Sequence, residues 1–399
     1  MKRLISILLV TVLLLSAVCG CNSNKDEKTT STVSDNVSST ESTVSDNIES
    51  TESDVESEDE NIVSTTTPLD TPSEEDASSS ETSSSSDKEE DEGELPIGHR
   101  IKGGINFEEL QSDGMPTFDE YVYDKSYWEL VAEAGFDNVR LPVRLDAYVI
   151  GEAPEYEMDQ QALRWLDIAI NNGLSCGLVV ILDYHHSCYK DEPEKFKKVW
   201  EQTSTRYQDY PEELFFEIVN EPNGVSHDYL NVLQMETYRI IRKTNPTRTI
   251  AFATNWFNSA AALEYTVIPG PEVDPNIIVS IHNYAPMSYS HAGMGGKHGS
   301  AKADFDPAWE KTITNAVAEL AGYEKMHGIP IWVSEWGAYQ GGGNFFKEDS
   351  SVYYSWWTKA FAKYDIAYAV WEFNHGFGVF DWKEQKWKKY LLDNMVIQW

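Results

Sequence analysis

The 399-residue chain is short of basic residues: 31 Lys and Arg stand against 66 Asp and Glu, a formal charge of −35. Such an acidic surface repels polyanions, which excludes nucleic acid and anionic polymers as partners and leaves uncharged ligands open. Cysteine is scarce too, with four in all. Cys176 and Cys188 flank the strand-like run Gly177 to His186. Full extension would hold their Cα atoms about 35–40 Å apart, whereas a disulfide needs under about 7 Å, so two free thiols are expected. Residues 22–95 contain no aromatic residue, and 23 acids face three lysines among Ser, Thr, Asn and Val. A segment like this buries no core and reads as a disordered tether. Its near-repeat of eleven residues, from Thr32 and again from Thr43, lacks the apolar positions of a coiled coil or solenoid. As a flexible coil it spans about 50 Å or more.

Ahead of the tether, Met1-Lys2-Arg3 precedes an apolar run from Leu4 to Val18. A basic start and an apolar stretch too short to span a bilayer stably are the marks of an export signal. Val18-Cys19-Gly20-Cys21 resembles the bacterial lipobox, in which the cysteine after a small residue becomes the lipidated new N-terminus. That resemblance implies a signal over residues 1–20, a lipidated Cys21 heading a linker over 21–95, and attachment to the outer face of a bacterial cell membrane. An ordinary signal peptide with two incidental cysteines is the alternative.

From residue 96 the composition turns globular, and 96–399 is long enough for one large domain. Its share of the charge is smaller, 26 basic residues against 43 acidic. Strand-like runs end at Phe107, Val143, Tyr184, Asn220, Asn255, Tyr284, Glu335 and Phe373. Helical patterns follow most of them, over Gln161–Asn171, Pro193–Tyr207, Asp228–Lys243, Ala308–Met326 and Val352–Ala362. In the first of these, Leu163, Leu166 and Ile170 share one face, as a helix packed on a sheet requires. Val139–Val143, Leu178–Leu182 and Ile277–Ile281 are almost wholly apolar, as parallel strands covered on both sides tend to be. Eight such alternations predict a (β/α)8 barrel, an α/β fold, with the helix after the fifth strand the weakest element.

In such barrels chemistry gathers at the carboxyl ends of the strands. Polar residues collect there: Arg140 in the second run, His185 and His186 after the third, Asn220 and Glu221 after the fourth, His282 and Tyr284 after the sixth, Glu335 at the seventh and Trp371 at the eighth. Glu221 and Glu335 are the informative pair. Two carboxyls facing each other across a cleft are what glycoside hydrolysis needs, one to protonate the leaving oxygen and one to meet the oxocarbenium-like centre. That chemistry calls for no metal and no cofactor. A His185-His186 metal pair is the competing reading, but neighbours on a strand point to opposite faces and no third ligand sits at metal spacing.

The ordered set Arg140, Asp183-Tyr184-His185-His186, Asn220-Glu221-Pro222, His282-Asn283-Tyr284, Ser334-Glu335-Trp336-Gly337, and Trp371 with Gly376 to Asp381 resembles glycoside hydrolase family 5 over the whole of 96–399. The resemblance implies Glu221 as general acid/base and Glu335 as nucleophile. It implies that Arg140 and Tyr284 donate hydrogen bonds to Glu335 and that Asn220 holds the sugar 2-hydroxyl. His185, His282 and Trp371 would shape the subsite of the reacting sugar, with His282 near Glu221, and the Trp371–Glu372 bond would be cis. Two departures stand out: Ser334 where glycine is expected, and Asn374-His375 between Trp371 and Gly376. Asp183 reads as a supporting partner rather than a catalyst. Tyr148, Trp256, Trp336, Tyr339 and Trp382 are candidate sugar-stacking platforms or ordinary core.

The resemblance implies retaining, endo-acting cleavage of β-1,4-glucan (cellulose, mixed-linkage glucan or xyloglucan) by double displacement. A monomer is the expected state. β-Mannanase or β-1,3-glucanase activity is the alternative within the fold. A lipoprotein that binds glycan without cleaving it is the alternative in another class.

Overall fold

Short runs of apolar and small residues form eight parallel strands: β1 Gly103–Asn106, β2 Asn138–Val143, β3 Val179–Tyr184, β4 Leu214–Glu217, β5 Ile250–Ala253, β6 Ile277–His282, β7 Ile331–Trp336 and β8 Ala367–Val370. Each pairs with its sequence neighbour and β1 pairs with β8, so the sheet closes as the expected barrel. The computed structural model describes residues 96–107, 109–110, 117–118, 120–185, 187–294, 305–340 and 347–396. The expected signal, Cys21, the tether and His186 lie outside the described residues.

Helix α1 Lys125–Glu133 is not among the expected patterns; the five that follow, α2 Gln160–Ser175, α3 Pro193–Arg206, α4 His227–Arg242, α5 Trp309–His327 and α6 Lys347–Tyr364, stand where the apolar periodicity puts them. Their starts are chemically marked. Asp124, Asp159 and Ser226 each accept a backbone N–H of the first turn, and Pro193 opens α3 where no N–H is needed. On α2 the residues Leu163, Leu166, Ala169, Ile170 and Gly173 are buried against the sheet. Truncating one such leucine to alanine costs about 2–5 kcal/mol. After β5 there is no regular helix, only a turn over Asn255–Asn258 and a 3-10 segment over Ala260–Tyr265. The reason is local: Trp256, Phe257 and Asn258 have φ of 57°, 64° and 54°, a left-handed run that no right-handed helix can contain.

Alternation along the strands divides the barrel interior into two levels. Val179, Ile181, Phe215, Ala251, Ile278, Trp332, Ala367 and Ala369 fill the lower level and form an apolar plug. One step further toward the carboxyl ends, the inward positions turn polar: Asn106, Arg140, Asp183, Glu217, Ser280 and Ser334, all fully buried. The outward positions pack on the helices instead.

β7 breaks this alternation near its carboxyl end. Opposite β6, Ile281 pairs with Val333 and His282 with Glu335; opposite β8, Tyr368 pairs with Val333 and Val370 with Trp336. β7 thus carries one extra residue, a bulge that lets consecutive Ser334 and Glu335 both face inward. Trp336 is thereby turned outward, fully buried among Tyr354, Trp357, Phe361 and Tyr368. It is core, not a sugar platform. Tyr148 is likewise buried and belongs to the core. Cys176 and Cys188 are free thiols.

Candidate active site

The polar level of the interior is organised by Arg140, a guanidinium with no exposure. It lies mid-strand in β2 rather than at the strand's end, and so reaches the site from below. Its Nε and Nη2 clasp the Glu217 carboxylate at 2.6 and 3.2 Å. Nη2 also donates to Asn220 Oδ1 at 2.7 Å and pairs with Asp183 Oδ2 at 2.9 Å. Nη1 donates to Asn106 Oδ1 at 3.1 Å and to Glu335 Oε1 at 2.6 Å. Burial disfavours its charge, but Asp183, Glu217 and Glu335 outweigh that and keep the guanidinium firmly protonated. Glu217 and Asn106 escaped the sequence reading. The signal was present, since strand alternation turns both inward at the level of Arg140, but no spacing marks them as functional.

Both oxygens of Glu335 are occupied: Oε1 accepts from Arg140, and Oε2 accepts the Tyr284 hydroxyl at 2.8 Å. Glu221 approaches from the loop after β4, with its backbone at φ 45° and its side chain 37% exposed against 6% for Glu335. His282 stands between them, its Nδ1 2.9 Å from Glu221 Oε1 and 3.4 Å from Glu335 Oε2. One oxygen of each glutamate and a nitrogen of His282 all lie within 4.8 Å of one another. Burial holds His282 down to about 4, so it is neutral near pH 7. Burial first, and then the Glu221 charge, raise the Glu335 carboxyl to about 7 against the pull of His282, Arg140 and Tyr284. Two carboxyls this close titrate as a pair sharing one proton. Both Glu335 oxygens accept hydrogen bonds and its side chain is nearly buried, whereas Glu221 is the more exposed member of the pair. The arrangement is a braced, buried carboxyl beside a partly exposed one.

The same three groups are a possible cation site, one that the reading built on His185 and His186 did not foresee. His186 lies outside the described residues, and His185 is committed elsewhere. Its Nδ1 lies 2.7 Å from Asp183 Oδ2 and its Nε2 lies 3.4 Å from Asn220 Nδ2. Since the Asp183 carboxylate accepts the Nδ1 proton, His185 Nε2 is the acceptor. Asn220 accepts from Arg140 at Oδ1 and turns its amide nitrogen to His185 Nε2. Asp183 is the supporting partner expected of it, its carboxyl raised to about 7 by burial despite Arg140.

Trp371 follows β8 with its ring parallel to His185, 6.0 Å between centroids and 9° between planes. The bond from Trp371 to Glu372 is cis, as expected. Gly337 makes this close approach possible: at φ 154°, a Cβ there would lie 2.3 Å from the Trp371 carbonyl oxygen. Arg140, His185, Asn220, Glu221, His282, Tyr284, Glu335 and Trp371 thus sit together at the carboxyl end of the barrel, and Cys21 lies outside the described residues. Of the remaining candidate platforms, Trp256 and Trp382 are 46% and 41% exposed, whereas Tyr339 packs edge-on against Phe377. Trp256 touches His227, itself against Tyr265.

Comparison with known proteins agrees with this geometry. The family description "Cellulase (glycosyl hydrolase family 5)" matches residues 103–376. Endoglucanase H of Acetivibrio thermocellus is 31% identical over 215 residues, which cover 52% of this chain and 23% of that protein. The cellulase/esterase CelE of the same organism is 30% identical over 259 residues, covering 57% of this chain and 31% of that one. The chain therefore spans less than a third of the length of these two relatives. Among solved structures, Thermotoga maritima Cel5A with cellobiose superposes with a TM-score of 0.69 at 29% identity, and the same enzyme with mannotriose with 0.68 at 28%. Each match covers 75% of this chain and 99% of the other.

Proposed function

The chain belongs to the cellulase family, glycosyl hydrolase family 5, and from that premise we propose that it is a retaining endoglucanase acting on β-1,4-glucan. The observation that carries the proposal is the carboxyl pair, with oxygens within 4.8 Å, one member doubly braced by Arg140 and Tyr284 and the other half-exposed on a loop. So close an approach of the nearest oxygens fits the retaining arrangement, with carboxyls about 5–5.5 Å apart, better than the inverting one at about 6.5–9.5 Å. In the first step Glu335 attacks the anomeric carbon as the glycosidic bond breaks, and the proton on Glu221 goes to the leaving oxygen. In the second, Glu221, now ionised, takes a proton from water as that water displaces Glu335. The Asn220 amide and His185 Nε2 face the same cleft and are placed to hold sugar hydroxyls, the former at the 2-position, where contacts strengthen in the transition state. Trp371 forms a flat wall beside them.

An uncharged polymer suits the acidic surface. β-Mannan is the second reading, favoured by the mannotriose complex of Thermotoga maritima Cel5A. Reducing-end release from cellulose, mixed-linkage glucan, xyloglucan, β-1,3-glucan and mannan tests both readings. Cleavage of mixed-linkage glucan faster than mannan is the expected result, and activity on none would overturn the assignment. We further propose that Cys21 carries a lipid and that residues 22–95 hold the domain off the cell surface. A single copy supplies every residue of the site, so a monomer suffices.

A further inference from the structure

Glu221 and Glu335 come from opposite sides of the barrel, and Glu221 stands on a loop in a left-handed conformation that an L-residue rarely adopts. Something must hold it there. Its backbone N–H donates to Asn258 Oδ1 at 3.0 Å. Asn258 is itself fully buried and belongs to the left-handed run after β5; beside it, the Phe257 N–H donates to the Pro222 carbonyl at 3.1 Å, a second tie between the two loops. The Asn258 amide nitrogen donates to Ser280 Oγ at 2.8 Å and to the Ser280 carbonyl at 3.2 Å. Ser280 Oγ donates to Glu217 Oε1 at 2.7 Å, Glu217 clasps Arg140, and Arg140 donates to Glu335 Oε1. The chain of bonds runs from the backbone of one glutamate to the carboxylate of the other, and His282 closes it above.

Building on the retaining-endoglucanase reading, we propose that Asn258, Ser280 and Glu217 form a brace beneath the cleft that sets the distance and aim of Glu221 relative to Glu335. They are positioning residues: none touches the cleft, and each acts through a neighbour. Ser280 is the joint. It accepts from the Asn258 amide and donates its single hydroxyl hydrogen to Glu217, so in the Ser280–Ser334 contact at 2.6 Å Ser334 is the donor. Ser334, the departure from the expected glycine, therefore hangs from the brace as a side branch that carries no part of it. Breaking the brace loosens the Glu221 loop, which keeps the Phe257–Pro222 tie, while leaving Arg140 and Tyr284 on Glu335. The step that needs a well-aimed acid should suffer most, since a misplacement of about 1 Å can cost roughly 10²-fold.

The test compares two substrates with Ser280→Ala, Asn258→Ala and Ser334→Ala in the full chain. One substrate is a cello-oligosaccharide, whose leaving group needs protonation. The other is a dinitrophenyl cellobioside, whose departure needs little; its burst of phenolate counts active sites and removes any loss from misfolding. Per active site, Ser280→Ala and Asn258→Ala should lower oligosaccharide cleavage at least tenfold more than the burst rate. The double variant should lose little beyond the worse single, because both break one chain. Ser334→Ala should leave the ratio of the two rates unmoved. Equal losses on both substrates, or an additive double variant, would overturn the brace. A wild-type protein that cleaves neither substrate would instead overturn the functional reading beneath it.

Discussion

Replacing Tyr284 by Phe removes one oxygen and keeps the ring, so its effect can be worked from the geometry. The hydroxyl donates to Glu335 Oε2 at 2.8 Å, and without it that oxygen keeps only His282 Nδ1 at 3.4 Å. His282 is neutral and lies closer to Glu221, at 2.9 Å, so it is a weak substitute. A hydrogen bond to a charged group is worth about 1.5–3 kcal/mol, and one pKa unit about 1.36 kcal/mol. Loss of the bond therefore raises the Glu335 carboxyl further, by about one to two units. The sign follows from the proposed mechanism, in which Glu335 attacks as a carboxylate: activity is lost on the acid side and the acid limb moves up. With an aryl cellobioside that needs no general acid, kcat/KM at pH 5 should fall roughly 10- to 100-fold while the loss at pH 8 is much smaller. A loss of equal size at every pH would refute the reasoning, because it would assign Tyr284 to packing and not to the charge on Glu335.

Other outcomes rest on the same geometry. Proton NMR during early hydrolysis of a β-linked substrate should show the β-anomer first, and the α-anomer first would mean a water attacks directly. Exhaustive chelation should leave the rate unchanged, since both Glu335 oxygens and His282 Nδ1 are already held by Arg140, Tyr284 and Glu221; loss restored by zinc would make the Glu221, His282 and Glu335 cluster a metal site. Changing Cys21 to Ser should abolish acyl labelling and release the protein from membranes while catalysis persists, and label that survives would point to Cys19.

The barrel was legible because its elements announce themselves: apolar runs of strand length, amphipathic helices between them, and polar residues clustered where the runs stop. Arg140, Glu221, His282, Tyr284, Glu335 and Trp371 were legible for the same reason, each lying in a run whose end could be located. Asn106, Glu217, Asn258 and Ser280 were not. They lie within strands or a turn, look like solvated or incidental polar residues in one dimension, and acquire meaning only when the barrel sets Asn106 and Glu217 against Arg140 and lines up Ser280 and Asn258 between Glu217 and the Glu221 backbone. The bulge at Ser334 was equally hidden, and with it the outward turn of Trp336, because strand alternation alone puts neighbours on opposite faces. The missing helix after β5 traces to Trp256, Phe257 and Asn258, whose left-handed backbone is set by contacts with the Glu221 loop and not by local propensity.

The central claim is the division of labour between the two glutamates, and azide rescue tests it most directly. In Glu221→Ala, an activated aryl glycoside still forms the ester with Glu335, and azide then enters from the opposite face to give a β-glycosyl azide with the rate restored. In Glu335→Ala, azide takes the nucleophile's own place and gives the α-glycosyl azide. Those products from those variants are what the geometry predicts. The reverse assignment of products would make Glu221 the nucleophile and Glu335 the acid, and would contradict the account at its base.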